Sequence, residues 1–143
     1  MSHVDHPPAP VAAILAWPLT GLIARIGLAS PFLISGVVKL MHWKGAVAEA
    51  AGLGLGAPTI VAAATIATQL VGSALFLWRG GVWLGAGMLA VFTAIATLIA
   101  HAFWTAQGPE AGRQMATFFE HVAIISGFAA AAVLADRQVG RKA

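Results

Sequence analysis

No cysteine occurs among the 143 residues, which excludes disulfides, thiol catalysis, thiolate metal ligation and covalent haem attachment. Charge is scarce too: Asp, Glu, Lys and Arg make up 9% of the chain, against about 25% in an average soluble domain. Lys and Arg outnumber Asp and Glu by 8 to 5, yet they are scattered or gathered at the C-terminus. No basic face interleaved with aromatics results, so nucleic acid is excluded as a partner. A nucleophile-and-base pairing, a phosphate loop and a carboxylate pair are also missing, and the sequence does not assemble a stand-alone catalytic machinery. Any redox chemistry must come from a bound cofactor or a partner. The segment from Met1 to Pro10 lacks the positive n-region of a cleaved signal peptide. With His3, Asp5, His6 and three prolines, residues 1–19 read as a disordered N-terminal tail, and targeting is left to the first span.

What fills the chain instead is apolar surface, at 59% hydrophobic residues, more than a water-soluble protein of this length can hide. A transmembrane helix needs about 20 mostly apolar residues to cross about 30 Å of hydrocarbon. Four windows qualify, at residues 20–41, 58–78, 82–104 and 115–135. Pro18 and Pro58 lie near helix starts, where a missing N–H is harmless. The expected fold is therefore all-α, an integral membrane four-helix bundle over residues 20–135, followed by a basic cytoplasmic tail at 136–143.

The connections are legible as well. Gly45 to Ala57 carries Glu49 and the run Gly52-Leu53-Gly54-Leu55-Gly56, too apolar for a free loop and too glycine-rich to span. It is expected to lie on the membrane surface as one helical turn followed by a flexible strap. Arg79-Gly80-Gly81 is a tight turn that makes the second and third helices antiparallel neighbours, and residues 107–113 close the third connection. Arg79, Arg137, Arg141 and Lys142 share the side of the termini, against Lys44 and Arg113 opposite, with Lys39 near that end. The positive-inside rule then puts both termini in the cytoplasm. Gly81 and Gly85 form a G-x-x-x-G; such small faces let helices approach closely, here within the monomer or across a seam between copies of a homo-oligomer.

Ionisable groups inside hydrocarbon cost at least about 2.5 to 3.5 kcal/mol on insertion scales, so each one calls for a partner or a function. The spans contain Arg25, Lys39, Gln69, His101, Glu120 and His121, with His42 at the end of the first. At about 1.5 Å per residue, Arg25 falls in the inner leaflet and Gln69 near the midplane, whereas Lys39, His42, His101, Glu120 and His121 gather at the outer end. Three readings of that cluster stand side by side. In the bland one, Lys39 snorkels, His42 and His101 sit with Trp43 and Trp104 in an aromatic belt, and Glu120 pairs with Lys39. In the second, the cluster binds a quinone or another redox carrier, because imidazole and carboxylate hydrogen-bond a quinone carbonyl and relay protons. In the third, His42, His101, His121 and Glu120 ligate a metal or haem iron, although no H-x-x-x-H spacing supports this and Glu120 and His121 diverge by about 100° on a helix. Arg25, about one turn inside its span, reaches the headgroups or meets an anionic ligand.

The first span, Arg25-Ile26-Gly27-Leu28 through Phe32-Leu33-Ile34-Ser35-Gly36-Val37-Val38-Lys39-Leu40, resembles the R-x-x-L…F-x-x-S-G-x-x-K-L signature of the DoxX family of small bacterial membrane proteins. The likeness continues through Gly54 to Pro58, the Gln69 to Leu75 stretch, the His101-Ala102-Phe103-Trp104 ending, Phe118-Phe119 and Gly127. It covers about Ala24 to Ala135. The chain departs from the family in having Gln69 where Glu is usual and Glu120-His121 where a Lys-Asn pair is usual, which implies a different internal polar network. The resemblance implies a multi-pass protein of the bacterial inner membrane, related to the small subunit of thiosulfate:quinone oxidoreductase and working with redox or stress-response partners. Two functions follow as expectations: a membrane subunit of a redox system that binds a quinone or other electron carrier near the outer face, or a non-catalytic anchor or assembly factor for a partner complex. The first draws on Arg25, Lys39, His42, Gln69, His101, Glu120 and His121. A transporter acting as a monomer is disfavoured by four short spans without an inverted repeat.

Overall fold

A computed structural model describes residues 7–140, with side chains to Asp136. Residues 1–6 of the expected tail, together with Arg141 and Lys142, lie outside the described residues, as does the Arg137 side chain. Among the described residues six α-helices follow in order: α1 (Ala9–Ala16), α2 (Thr20–Met41), α3 (Trp43–Gly52), α4 (Pro58–Leu77), α5 (Val82–Ala100) and α6 (Pro109–Gly140), with a 3-10 turn at Phe103–Thr105 between the last two. Helices α2, α4, α5 and α6 are long and apolar enough to cross a membrane, and among the described residues there is no strand. Four spans return the chain to the side on which it began. The end where α2 and α5 finish and α4 and α6 begin is called distal below.

Three segments differ from the sequence reading. Within the expected tail, Val11 to Leu15 are apolar and Pro8 and Pro10 suit a helix start, and residues 9–16 form α1. The strap between the first two spans holds ten residues of helix, α3, before Gly54 (φ +70°) and Ala57 (φ +52°) turn the chain into Pro58 at the start of α4. The third connection lies earlier than expected: α5 ends at Ala100, and Gly108 (φ +60°) makes the turn into Pro109, which starts α6 at once. At 32 residues α6 is about 48 Å long, so its first turns project beyond about 30 Å of hydrocarbon.

Pro31 sits inside α2 and cannot donate to the carbonyl of Gly27. The Ser30 hydroxyl donates to that carbonyl instead, at 2.8 Å, which is how a transmembrane helix tolerates proline. Helix α4 packs between α2 and α5, and α5 between α4 and α6. The α4–α5 contact depends on Gly85: a Cβ there would stand 2.2 Å from the backbone nitrogen of Phe76 and 2.6 Å from the Gly72 carbonyl oxygen. The G-x-x-x-G therefore packs within the monomer. Phe32, Phe76 and Phe128 meet in the half of the bundle away from the distal end, Phe128 lying 5.5 Å from Phe32 and 5.0 Å from Phe76 between ring centroids. They form the main core with Ala29, Val82, Ala86 and Leu89. A second cluster, Ala46, Ala62 and Ile66, seats α3 against α4.

Candidate functional site

The distal polar residues divide into two groups. The first is a histidine pair between α5 and α6. His101 caps the C-terminus of α5 and His121 projects from α6, with ring centroids 5.0 Å apart and planes inclined at 66°. His101 Nδ1 lies 2.7 Å from Gln114 Oε1, and Gln114 Nε2 donates to Glu110 Oε1 at 2.8 Å. The amide is thereby oriented with its oxygen towards the ring, so His101 Nδ1 must carry the hydrogen. His121 Nδ1 lies 2.8 Å from Thr97 Oγ1, whose own hydrogen is given to the Thr93 carbonyl at 2.6 Å. Thr97 has a single hydrogen, so it accepts from His121 Nδ1–H. When the rings are neutral, this network gives both the same tautomer, each with a lone pair on Nε2. Close to them in sequence, Phe103, Trp104, Phe118 and Phe119 form a chain of edge-to-face contacts. Arg113 closes the group in an ion pair with Glu110.

The second group lies between α2 and α3. Lys39 pairs with Glu49 of α3, the lysine side chain only 18% exposed and the carboxylate 59%. The expected Lys39–Glu120 pair is thus replaced by Lys39–Glu49: α3 is a real helix that returns over the end of α2 and places its carboxylate first. Ser35, Val38, Lys39, His42, Ala46 and Glu49 line a cavity of about 200 Å³ here. His42 Nδ1 is 3.1 Å from the Val38 carbonyl and so donates to it, which leaves its Nε2 as an acceptor when the ring is neutral. Ser35, on the cavity wall, accepts a hydrogen bond from Gln69 Nε2 at 3.2 Å. Gln69 is buried and faces the bundle interior; its Oε1, and Ser73 Oγ one turn along α4, are buried without a partner among the described residues.

Two sequence candidates fall outside both groups. Arg25 is at the opposite end, donating to the carbonyls of Gly21 at 3.4 Å and Phe76 at 3.5 Å. Glu120 is exposed on the outer face of α6. Among the described residues no three of His, Asp and Glu come close enough together to hold a metal ion. The sequence reading did not single out Thr97, Gln114, Glu110, Ser35 or Glu49. Spacing offered a signal for the first three: Thr97 precedes His101 by one turn, and Gln114 follows Glu110 by one. Nothing local connects Lys39 to Glu49, or Ser35 to Gln69.

The family model described as DoxX matches residues 20–102, the segment from the start of α2 to just past His101. The Escherichia coli (strain K12) protein named inner membrane protein YphA is 31% identical over 114 residues, covering 79% of this chain and 81% of that protein. No solved structure matches. With four helices able to span a bilayer and a relative of the inner membrane across most of its length, the chain is a multi-pass inner-membrane protein. It belongs to the DoxX family.

Proposed function

We propose that this protein is the membrane subunit of a redox system, binding a quinone or a similar electron carrier at the distal end of the bundle, facing outward, and working with a partner protein. The observation that carries the reading is the His101–His121 pair: two imidazoles in contact, each held by its Nδ1 and each leaving Nε2 with a lone pair. Such a nitrogen accepts a proton or a hydrogen bond from a hydroxyl, and once protonated donates one to a carbonyl. These are the two polar requirements of a carrier that gains and loses protons with its electrons. The adjacent aromatic group suits a flat ring. In this reading the electron transfer belongs to the carrier and its partner, while His101 and His121 orient the ring and hold the proton. Gln114 and Thr97 fix the tautomers, and Lys39, His42 and Gln69 provide a second polar site behind α3.

Arg25 is too far away to take part, and Glu120 has no bond to either ring. The alternative, a non-catalytic anchor or assembly factor, is favoured by the ion pairs Lys39–Glu49 and Arg113–Glu110, since a charge already paired within the chain needs no ligand. Titrating the protein in lipid nanodiscs with a water-soluble short-chain quinone, read by quenching of tryptophan fluorescence, separates the two. Saturable quenching lost in His101→Ala and His121→Ala is expected. Quenching that is unsaturable, or equal in the variants, would leave the anchor reading in its place.

A further inference from the structure

Among the described residues, Glu120 is an ionisable side chain well inside a span that takes part in no side-chain hydrogen bond or ion pair. The two ion pairs among the described residues are Lys39–Glu49 and Arg113–Glu110, and neither includes it. It lies five residues beyond Met115, about 8 Å along the helix into the apolar stretch, and it is exposed. A carboxylate that faces lipid at this depth is costly, whereas carboxylates inside a membrane are ordinarily paired with a cation. The surrounding face is shaped for close approach: Gly112, Ala116, Ala123 and Ala130 are exposed around it, at helical spacings that put them on one side of α6. Helix α6 is also the least covered span, with 6% of its most apolar window buried against 33% in α4 and α5.

We infer that this face of α6 is a docking surface for a transmembrane helix of a different protein, one that carries a Lys or Arg at the depth of Glu120. Charge decides the occupant. Two copies of this chain joined by a two-fold axis normal to the membrane would set Glu120 against its own equivalent at the same depth, bringing like charges together. Of the chain's own cations at this end, Lys39 and Arg113 have carboxylate partners, and Lys44 stands on α3, outside the spans, rather than within the apolar stretch at the depth of Glu120. A helix with a single cation complements the carboxylate, and the small residues on either side let the two backbones approach until the pair is shielded from lipid. Glu120 directly precedes His121 on α6, so the surface adjoins the histidine pair, but its test does not depend on carrier binding.

The test uses the full chain in vesicles of phosphatidylcholine and phosphatidylglycerol, with a synthetic Ala/Leu transmembrane peptide carrying one Lys at outer-leaflet depth, and association read by Förster transfer. The Lys peptide should associate roughly tenfold more tightly than the same peptide with Leu at that position. Glu120→Leu should abolish the difference, and Glu120→Lys should transfer the preference to a peptide carrying Glu. Because Glu120 is exposed, the variants should retain the unfolding midpoint in detergent, and the swapped pair shows directly that a folded surface is being read. Equal association of the Lys and Leu peptides would overturn the inference. So would transfer between two labelled copies of the chain that Glu120→Leu removes, or a preference that vanishes when phosphatidylethanolamine supplies the ammonium group.

Discussion

Substituting Gly85 by alanine should separate α4 from α5. The added Cβ would meet the Phe76 nitrogen at 2.2 Å, the Gly72 carbonyl oxygen at 2.6 Å and the Phe76 Cα at 2.6 Å, where ordinary contact begins near 3.4 Å. All three are backbone atoms, so no side chain can turn aside and the helices themselves must shift by about an ångström. Overpacking of this kind costs about 1 to 3 kcal/mol. Gly87 is the internal control: it lies on the same helix half a turn away, and a Cβ there meets nothing within 4 Å. Alanine at Gly87 should bring only the gain in helix propensity, about 0.5 to 1 kcal/mol. Both alanines share the propensity gain, so the two variants should differ by the overpacking cost alone, about 1 to 3 kcal/mol, in equilibrium unfolding in mixed detergent micelles followed by circular dichroism. A Gly85→Ala protein as stable as Gly87→Ala would refute the reasoning, because it would mean that α4 and α5 do not meet at this glycine.

Phe128→Ala removes the ring shared by Phe32 and Phe76 and should destabilise the bundle by about 3 kcal/mol in the same assay. Gln69→Leu deletes a buried, half-satisfied amide of similar volume at the loss of one weak bond to Ser35, and should leave stability unchanged or raise it by up to about 1 kcal/mol; a large loss would show that Gln69 Oε1 has a structural partner. Nitrogen-15 spectra of histidine-labelled protein at alkaline pH should show His101 and His121 protonated on Nδ1. Thr97→Val should return His121 to a mixture of tautomers while His101 keeps its own.

The spans were readable because length and apolarity alone specify them: α2 begins and ends where the hydropathy places it, and α4 and α5 differ by at most a few residues. The ends of α5 and α6 were harder. Ala102 to Thr105 is apolar enough to extend a span, yet the chain bends after Ala100 into a 3-10 turn, and Pro109 starts a helix in a stretch whose polarity suggests a loop. Helix rotation was the information missing for the site. Spans that are apolar nearly all round carry no periodic signal to orient them, so Gln69 facing inward and Glu120 facing outward could not be told apart. The clustering of His101 and His121 followed from depth, but their partners did not: the Lys39–Glu49 pair depends on α3 folding back over α2, which is a tertiary event.

The central claim, that the histidine pair holds a carrier, is tested most directly by purifying the protein from its native membrane and measuring quinone in the co-purified lipid extract by mass spectrometry, alongside the His101→Ala/His121→Ala double variant. The account predicts quinone near one per protein, enriched over the ratio in the bulk membrane, and lost in the double variant. Quinone at the bulk ratio, or retained equally by the variant, would contradict it.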